Sequence, residues 1–155
     1  MIITFVGHGT LNISPELSAE IKKAIEDNIV DKAHVTFYCG GYGDFDNHCA
    51  RLCREIKKEI QNCEIIFVTP YITPSQQNKI KYLIDTKLYD DTIYPPLEDV
   101  LPRYAISKRN EWMIDQADLV IAFVAHEYGG AYKTLRYAER KKKKIIQLKK
   151  ESGKI

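Results

Sequence analysis

No apolar run in the 155 residues approaches the roughly 18 needed to cross a bilayer as a helix, and no basic segment precedes a long apolar core near Met1. No membrane partner is expected, and a cytoplasmic location is. Charge of one sign is also missing. With 23 Lys and Arg against 21 Asp and Glu, the net charge of +2 singles out no acidic or basic partner. Cysteine is sparse and never in a C-x-x-C arrangement. Of the four, Cys49 and Cys53 stand four apart in a predicted helix, in register with Phe45, Leu52, Ile56 and Ile60, which makes them part of its apolar stripe. His48, beside Cys49, points elsewhere around that helix. Together with Cys39 and Cys63 they read as buried free thiols, so neither a metal nor any other cofactor is expected. Two further absences matter. Without G-x-G-x-x-G or G-x-x-x-x-G-K-[ST], a standard dinucleotide fold and an ATPase are both disfavoured.

The chain is long enough to bury a substantial core without disulfides, and 45% hydrophobic residues place it among globular proteins. Asp118 to Val124 (D-L-V-I-A-F-V) carries one charge, at its start. It reads as a strand buried on both faces within a parallel sheet. Gly129 and Gly130 follow, then a helical run from Ala131 to Arg140 with Ala131, Leu135 and Ala138 on one face. Strand, glycine turn and helix make a place where a phosphate can rest on free N–H groups, although a Gly-Gly pair also serves simply as a tight turn.

The same grammar recurs twice. Ile2 to Val6 is a short apolar strand leading into Gly7-His8-Gly9-Thr10, and Ser14-Pro15 then caps a helix bearing Leu17, Ile21, Ala24, Ile25 and Ile29. His34 to Cys39 is a second strand, opening into Gly40-Gly41-Tyr42-Gly43 and a helix that reaches about Gln61. Arg51, Arg54, Lys57 and Lys58 read as its solvated face. Glu64 to Thr69 is a third strand, and Ser75 to Leu88 a helix with Ile80, Leu83 and Ile84 inside. Thr92 to Tyr94 is a short strand. A helix from Ala105 to Gln116 turns Ile106, Met113, Ile114 and Ala117 inward, and Lys144 to Leu148 is the last strand. The run Lys141 to Lys144 reads as a solvated turn, so no nucleic-acid partner is expected.

Alternating strands and helices imply a single α/β domain over residues 1–155, Rossmann-like, its mainly parallel sheet covered by helices on both faces. Ligands of such sheets bind at the C-terminal strand ends. Three glycine turns fall there, which makes a nucleotide or nucleotide-derived metabolite the expected ligand.

With those residues placed, the chain resembles the SLOG superfamily, Rossmann-like domains that include the LOG nucleotide phosphoribohydrolases and nucleotide-sensing modules. It looks most like an uncharacterised bacterial and phage branch with segments similar to Ser107-Lys108-Arg109-Asn110-Glu111-Trp112-Met113, Ala117 to Val124, and Gly129-Gly130-Ala131-Tyr132-Lys133-Thr134-Leu135. The resemblance implies a homodimer or higher homo-oligomer, a glycine turn at Gly40 to Gly43, and an arginine at the position of Arg109. The LOG pattern P-G-G-x-G-T-x-x-E is met here by Gly129-Gly130 and Thr134, without its proline and third glycine. The place of its glutamate falls near Arg136 or Tyr137.

The expected ligand-binding set is therefore Gly7, His8, Gly9, Gly40, Gly41, Tyr42, Gly43, Asp44, Arg109, Asn110, His126, Gly129, Gly130 and Thr134. Arg109 is the expected phosphate clamp, with two parallel hydrogen bonds. Ser107 is a further neutral donor, and Tyr42, Tyr71, Tyr128 and Trp112 are candidate base platforms, Trp112 being equally a core residue. Glu127, Asp46 and Arg109 are the candidates for catalysis, because breaking an N-glycosidic bond calls for a carboxylate. Asp44 either caps the following helix or joins them. His8 and His126 are candidate partners for phosphate or ribose, or general acids, or incidental loop residues. A sensor, carrier or sequestering protein is the first expectation, a nucleotide N-glycosidase the second, and a protein-interaction module the third.

Overall fold

The computed structural model describes residues 1–149. Residues 150–155 of the expected 1–155 unit lie outside the described residues.

Strands and helices alternate through the chain. They are β1 (Ile2–Gly7), α1 (Pro15–Ile29), β2 (Val35–Cys39), α2 (Asp44–Glu59), β3 (Cys63–Val68), α3 (Pro74–Asp85), β4 (Asp91–Ile93), α4 (Ala105–Gln116), β5 (Leu119–Phe123), α5 (Gly129–Arg140) and β6 (Ile145–Gln147). A 3-10 turn, Pro102–Tyr104, leads into α4. All six strands are parallel, in the order β4-β3-β2-β1-β5-β6. From β1 the sheet grows outward through β2, β3 and β4, then reverses across β1 to β5 and β6. The reversal lies between β1 and β5, and a crevice opens there at the carboxyl ends of the strands.

Period-two alternation assigns the two faces. Ile3 and Phe5 of β1, with Leu119 and Ile121 of β5, join Leu17, Ile21 and Ile25 of α1 and Phe45, Cys49, Leu52, Cys53 and Ile56 of α2 in one core. Val6, Val120 and Ala122 turn the other way and meet Ile114, Leu135 and Ala138 of α4 and α5. Every residue of β5 is buried, which follows from its central place between two covered faces. All four cysteines are free and buried.

Local chemistry sets the helix starts. The Ser14 hydroxyl accepts from Leu17 N at 3.0 Å, with Pro15 in the first turn, and Thr73 caps α3 in the same way, with Pro74 behind it. Three expectations need correction. Helix α5 begins at Gly129, so the two glycines form its first turn instead of preceding it. Ile106 is 37% exposed and lines an open cavity, while Ala105 beside it takes the buried position at the start of α4. In α3 no residue is fully buried, and Ile80, Leu83 and Ile84 only lean on the core from the sheet margin.

Candidate functional site

The three glycine turns converge on one rim. Gly7 at the end of β1 and Gly9 after it, Gly40 and Tyr42 after β2, and Gly129 and Gly130 after β5 line a single cavity of about 410 Å³. Its other walls include Ile106, Asn110 and Met113 of α4 and Thr134 of α5.

Close approach explains two of the glycines. A Cβ on Gly7 would fall 2.2 Å from the Phe45 ring, so only glycine lets β1 run beneath α2. Gly43 has φ +90, and its missing side chain would strike Gly9 Cα at 2.7 Å. That contact welds the first two turns together, helped by Asp44 N donating to Gly9 O at 2.8 Å.

Asp44 and Asp46 bond to backbone. Asp46 accepts from Gly40 N at 3.1 Å and Gly41 N at 2.6 Å, holding the turn after β2 in shape. Burial pushes its carboxyl up from the usual range, while those amides and Arg109 oppose the shift. Asp44 does not cap α2; its Oδ2 accepts from Leu11 N at 2.8 Å and ties down the segment after β1. Gly41, Gly43, Asp44 and Glu127 do not line the cavity. Gly41 instead backs onto Phe67, and Glu127 is exposed.

Arg109 lines the cavity but is only 2% exposed, not placed at an open edge. Its Nη1 donates to Gly40 O at 2.9 Å and Val68 O at 2.8 Å, and its Nε to Asn110 Oδ1 at 2.9 Å. The guanidinium thus stitches the ends of β2 and β3 to α4. Burial draws its pKa down from the ordinary arginine value, with Asp46 pulling the other way.

Across the rim, His8 links β1 to β5. Its Nε2 accepts from Ala125 N at 2.8 Å, an arrangement that requires the neutral ring, and burial followed by His126 lowers its pKa. The His126 ring lies between His8 and Tyr128, 3.9 Å from each centroid, so three rings form one pile at the cavity wall. Sequence reasoning named all three residues and missed the pile, since stacking depends on the turn conformation and not on spacing. Tyr128 is 69% exposed and Tyr42 70% exposed, both lining the cavity. Trp112 instead stacks on Tyr38 at 5.6 Å, Tyr71 donates to Pro102 O at 3.3 Å, and Ser107 is exposed; none of these three lines the cavity. Thr134 donates to Gly130 O at 2.9 Å, within α5. Around Gly129 and Gly130 the space is open, and a Cβ added at either would meet nothing within 4 Å. Among the described residues, no group of three or more His, Cys, Asp or Glu is placed to hold a metal ion.

No protein-family model matches the chain, and no curated protein matches it in sequence. Solved structures do match in fold. DNA processing protein A from Helicobacter pylori, described for its single-stranded DNA binding mode, superposes with a TM-score of 0.65 at 16% identity, over 99% of this chain and 67% of its own. DNA processing protein A from Streptococcus pneumoniae gives 0.64 at 15% identity, over 98% of this chain and 51% of its own. The Moco carrier protein of Chlamydomonas rheinhardtii gives 0.52 at 13% identity, over 95% and 74%. The chain thus spans about two thirds and one half of the two DNA processing proteins. At these identities the likeness shows a shared Rossmann-like fold. Two expectations are corrected by it, the nucleotide-type ligand and the exclusion of nucleic acid, because a fold-mate is described by the single-stranded DNA it binds.

Proposed function

We propose that this chain is a SLOG-type module that binds single-stranded nucleic acid across the rim cavity. The observation that carries the reading is the pair of exposed tyrosines, Tyr42 and Tyr128, rising from turns on either side of the β1 end. Unpaired bases stack on such rings for about 1–3 kcal/mol each, whatever their identity. Tyr128 is a firm platform, since His126 and His8 support it from behind.

Next to Tyr128, the open start of α5 suits a backbone phosphate. Its first turn carries two glycines and no acidic residue, so the amide ends face an anion without obstruction. A duplex hides its base faces and gains nothing from the tyrosines. Arg109 and Asp46 keep the turn after β2 in position through its carbonyl and its amides. The DNA processing neighbours support this reading. Four buried free thiols fit a reducing, cytoplasmic setting, and the sequence resemblance points to a bacterial or phage source.

Fluorescence anisotropy with a labelled oligothymidine and with a matched duplex tests the proposal. The single strand should bind at least tenfold more tightly, and Tyr42→Ala with Tyr128→Ala should weaken it by ~2–6 kcal/mol together. Gly130→Val should weaken it too, since the side chain enters open space and leaves the fold intact. Equal binding of duplex and single strand, or a double variant with unchanged affinity, would overturn the reading.

A further inference from the structure

A second cavity, of about 540 Å³, lies at the other end of the sheet, where α2 and α3 finish and β3 and β4 begin. Its lining has two characters. Ile65, Ile84, Leu88 and Tyr89 provide an apolar surface, and Arg54, Lys57, Lys58 and Lys87 provide four cations against a single carboxylate, that of Asp90.

The cations divide into two pairs. Lys57 donates to Asp90, whose other oxygen accepts from Ile65 N at 2.8 Å, and Arg54 Nη1 donates to Leu88 O at 3.2 Å. These contacts brace α2 against β3 and the α3–β4 connection, fixing the walls. Lys58 and Lys87 take part in none of the ion pairs among the described residues. The C-termini of α2 and α3 each contribute about half a negative charge, too little to cancel the excess of cations. A solvated basic helix end needs no apolar recess beside it, and a purely apolar recess needs no ring of cations.

We propose that this cavity binds a small anion with an apolar body, a phosphorylated or carboxylated short chain or ring. The head meets Lys58 and Lys87, and the body lies on Ile84, Leu88 and Tyr89. The volume falls within the usual range for small-molecule sites, about 300–1,000 Å³. The inference is independent of the nucleic-acid reading, which concerns the opposite rim.

Octyl phosphate, below its micelle concentration, is the probe, followed by amide NMR shifts of the isotope-labelled protein. Saturable shifts at Leu88, Tyr89 and Asp90, with Gly129 and Gly130 unmoved, are expected. Inorganic phosphate and 1-octanol should each bind at least tenfold more weakly, since one lacks the body and the other the charge. The exposed double variant K58E/K87E should weaken octyl phosphate at least tenfold while its melting temperature shows that it folds. Absence of saturable shifts at these residues, octanol or inorganic phosphate binding as tightly as octyl phosphate, or an unaffected charge-reversal variant would each overturn the proposal.

Discussion

At the scale of single residues, burial decides what a polar side chain is for. Arg109 is marked out by the family resemblance as an arginine of the expected site. That its Nη1 is held by Gly40 O and Val68 O is not legible in the sequence, because those carbonyls sit 69 and 41 residues away. The roles of Asp44 and Asp46 escape sequence reading for the same reason, their amide partners being set by turn conformations that spacing does not encode. His8 gives a prediction at this scale. Its folded pKa is lowered below the ordinary 6.5, so its contribution to stability is complete above pH ~6.5 and is lost as pH falls through the folded value. His48, lowered by burial and then by Arg51, acts in the same sense. Asp46, raised by burial, acts in the opposite sense at lower pH. Urea midpoints at pH 7.5, 6.5 and 5.5 should therefore fall on acidification. The decline should be shallower in His8→Leu, which should also lose ~1–3 kcal/mol at pH 7.5 by leaving Ala125 N–H without its acceptor. An unchanged slope in the variant would show that His8 is not a source of the pH dependence.

At the scale of elements, apolar periodicity and caps locate most segments. Helix α4 begins and ends where the sequence places it, and Ser14-Pro15 marks α1. The margins are harder. The spacing carries α3 on to Leu88, but the helix stops at Asp85 because Lys87 takes a left-handed φ of 60 and Leu88 N donates back to Leu83 O. Helix α5 stops in the same way, with Lys142 at φ 55 and Lys143 N bonded to Ala138 O. Both are helix-ending motifs in which glycine normally occupies the left-handed position, and lysine gives no sequence signal for them. The strain predicts a gain: Lys142→Gly, at an exposed site, should stabilise the fold by about 0.5–1 kcal/mol in urea denaturation. A loss of stability would mean that the lysine side chain contributes more than its backbone conformation costs.

At the scale of the whole molecule, the six-strand parallel sheet and the meeting of three glycine turns on one rim follow from the order of elements, since right-handed crossovers leave few other arrangements. The ligand class does not follow. Glycine turns at strand ends serve free nucleotides and polymer phosphates alike, and the proposal of a polymer rests on the outward rings of Tyr42 and Tyr128, whose exposure becomes visible only once the turns are folded. The burial of the thiols carries a different consequence. Cys39, Cys49 and Cys53 are shut away together between the sheet and α2, and burial raises each well above the ordinary thiol range. An alkylating reagent can reach them only when that layer parts, so at reagent concentrations where alkylation outruns reclosing, mass spectrometry should record molecules with all three modified or none. Singly modified species would mean that the layer opens piecemeal. The protein thus carries its own clock for cooperative opening, read in adducts and needing no attached dye.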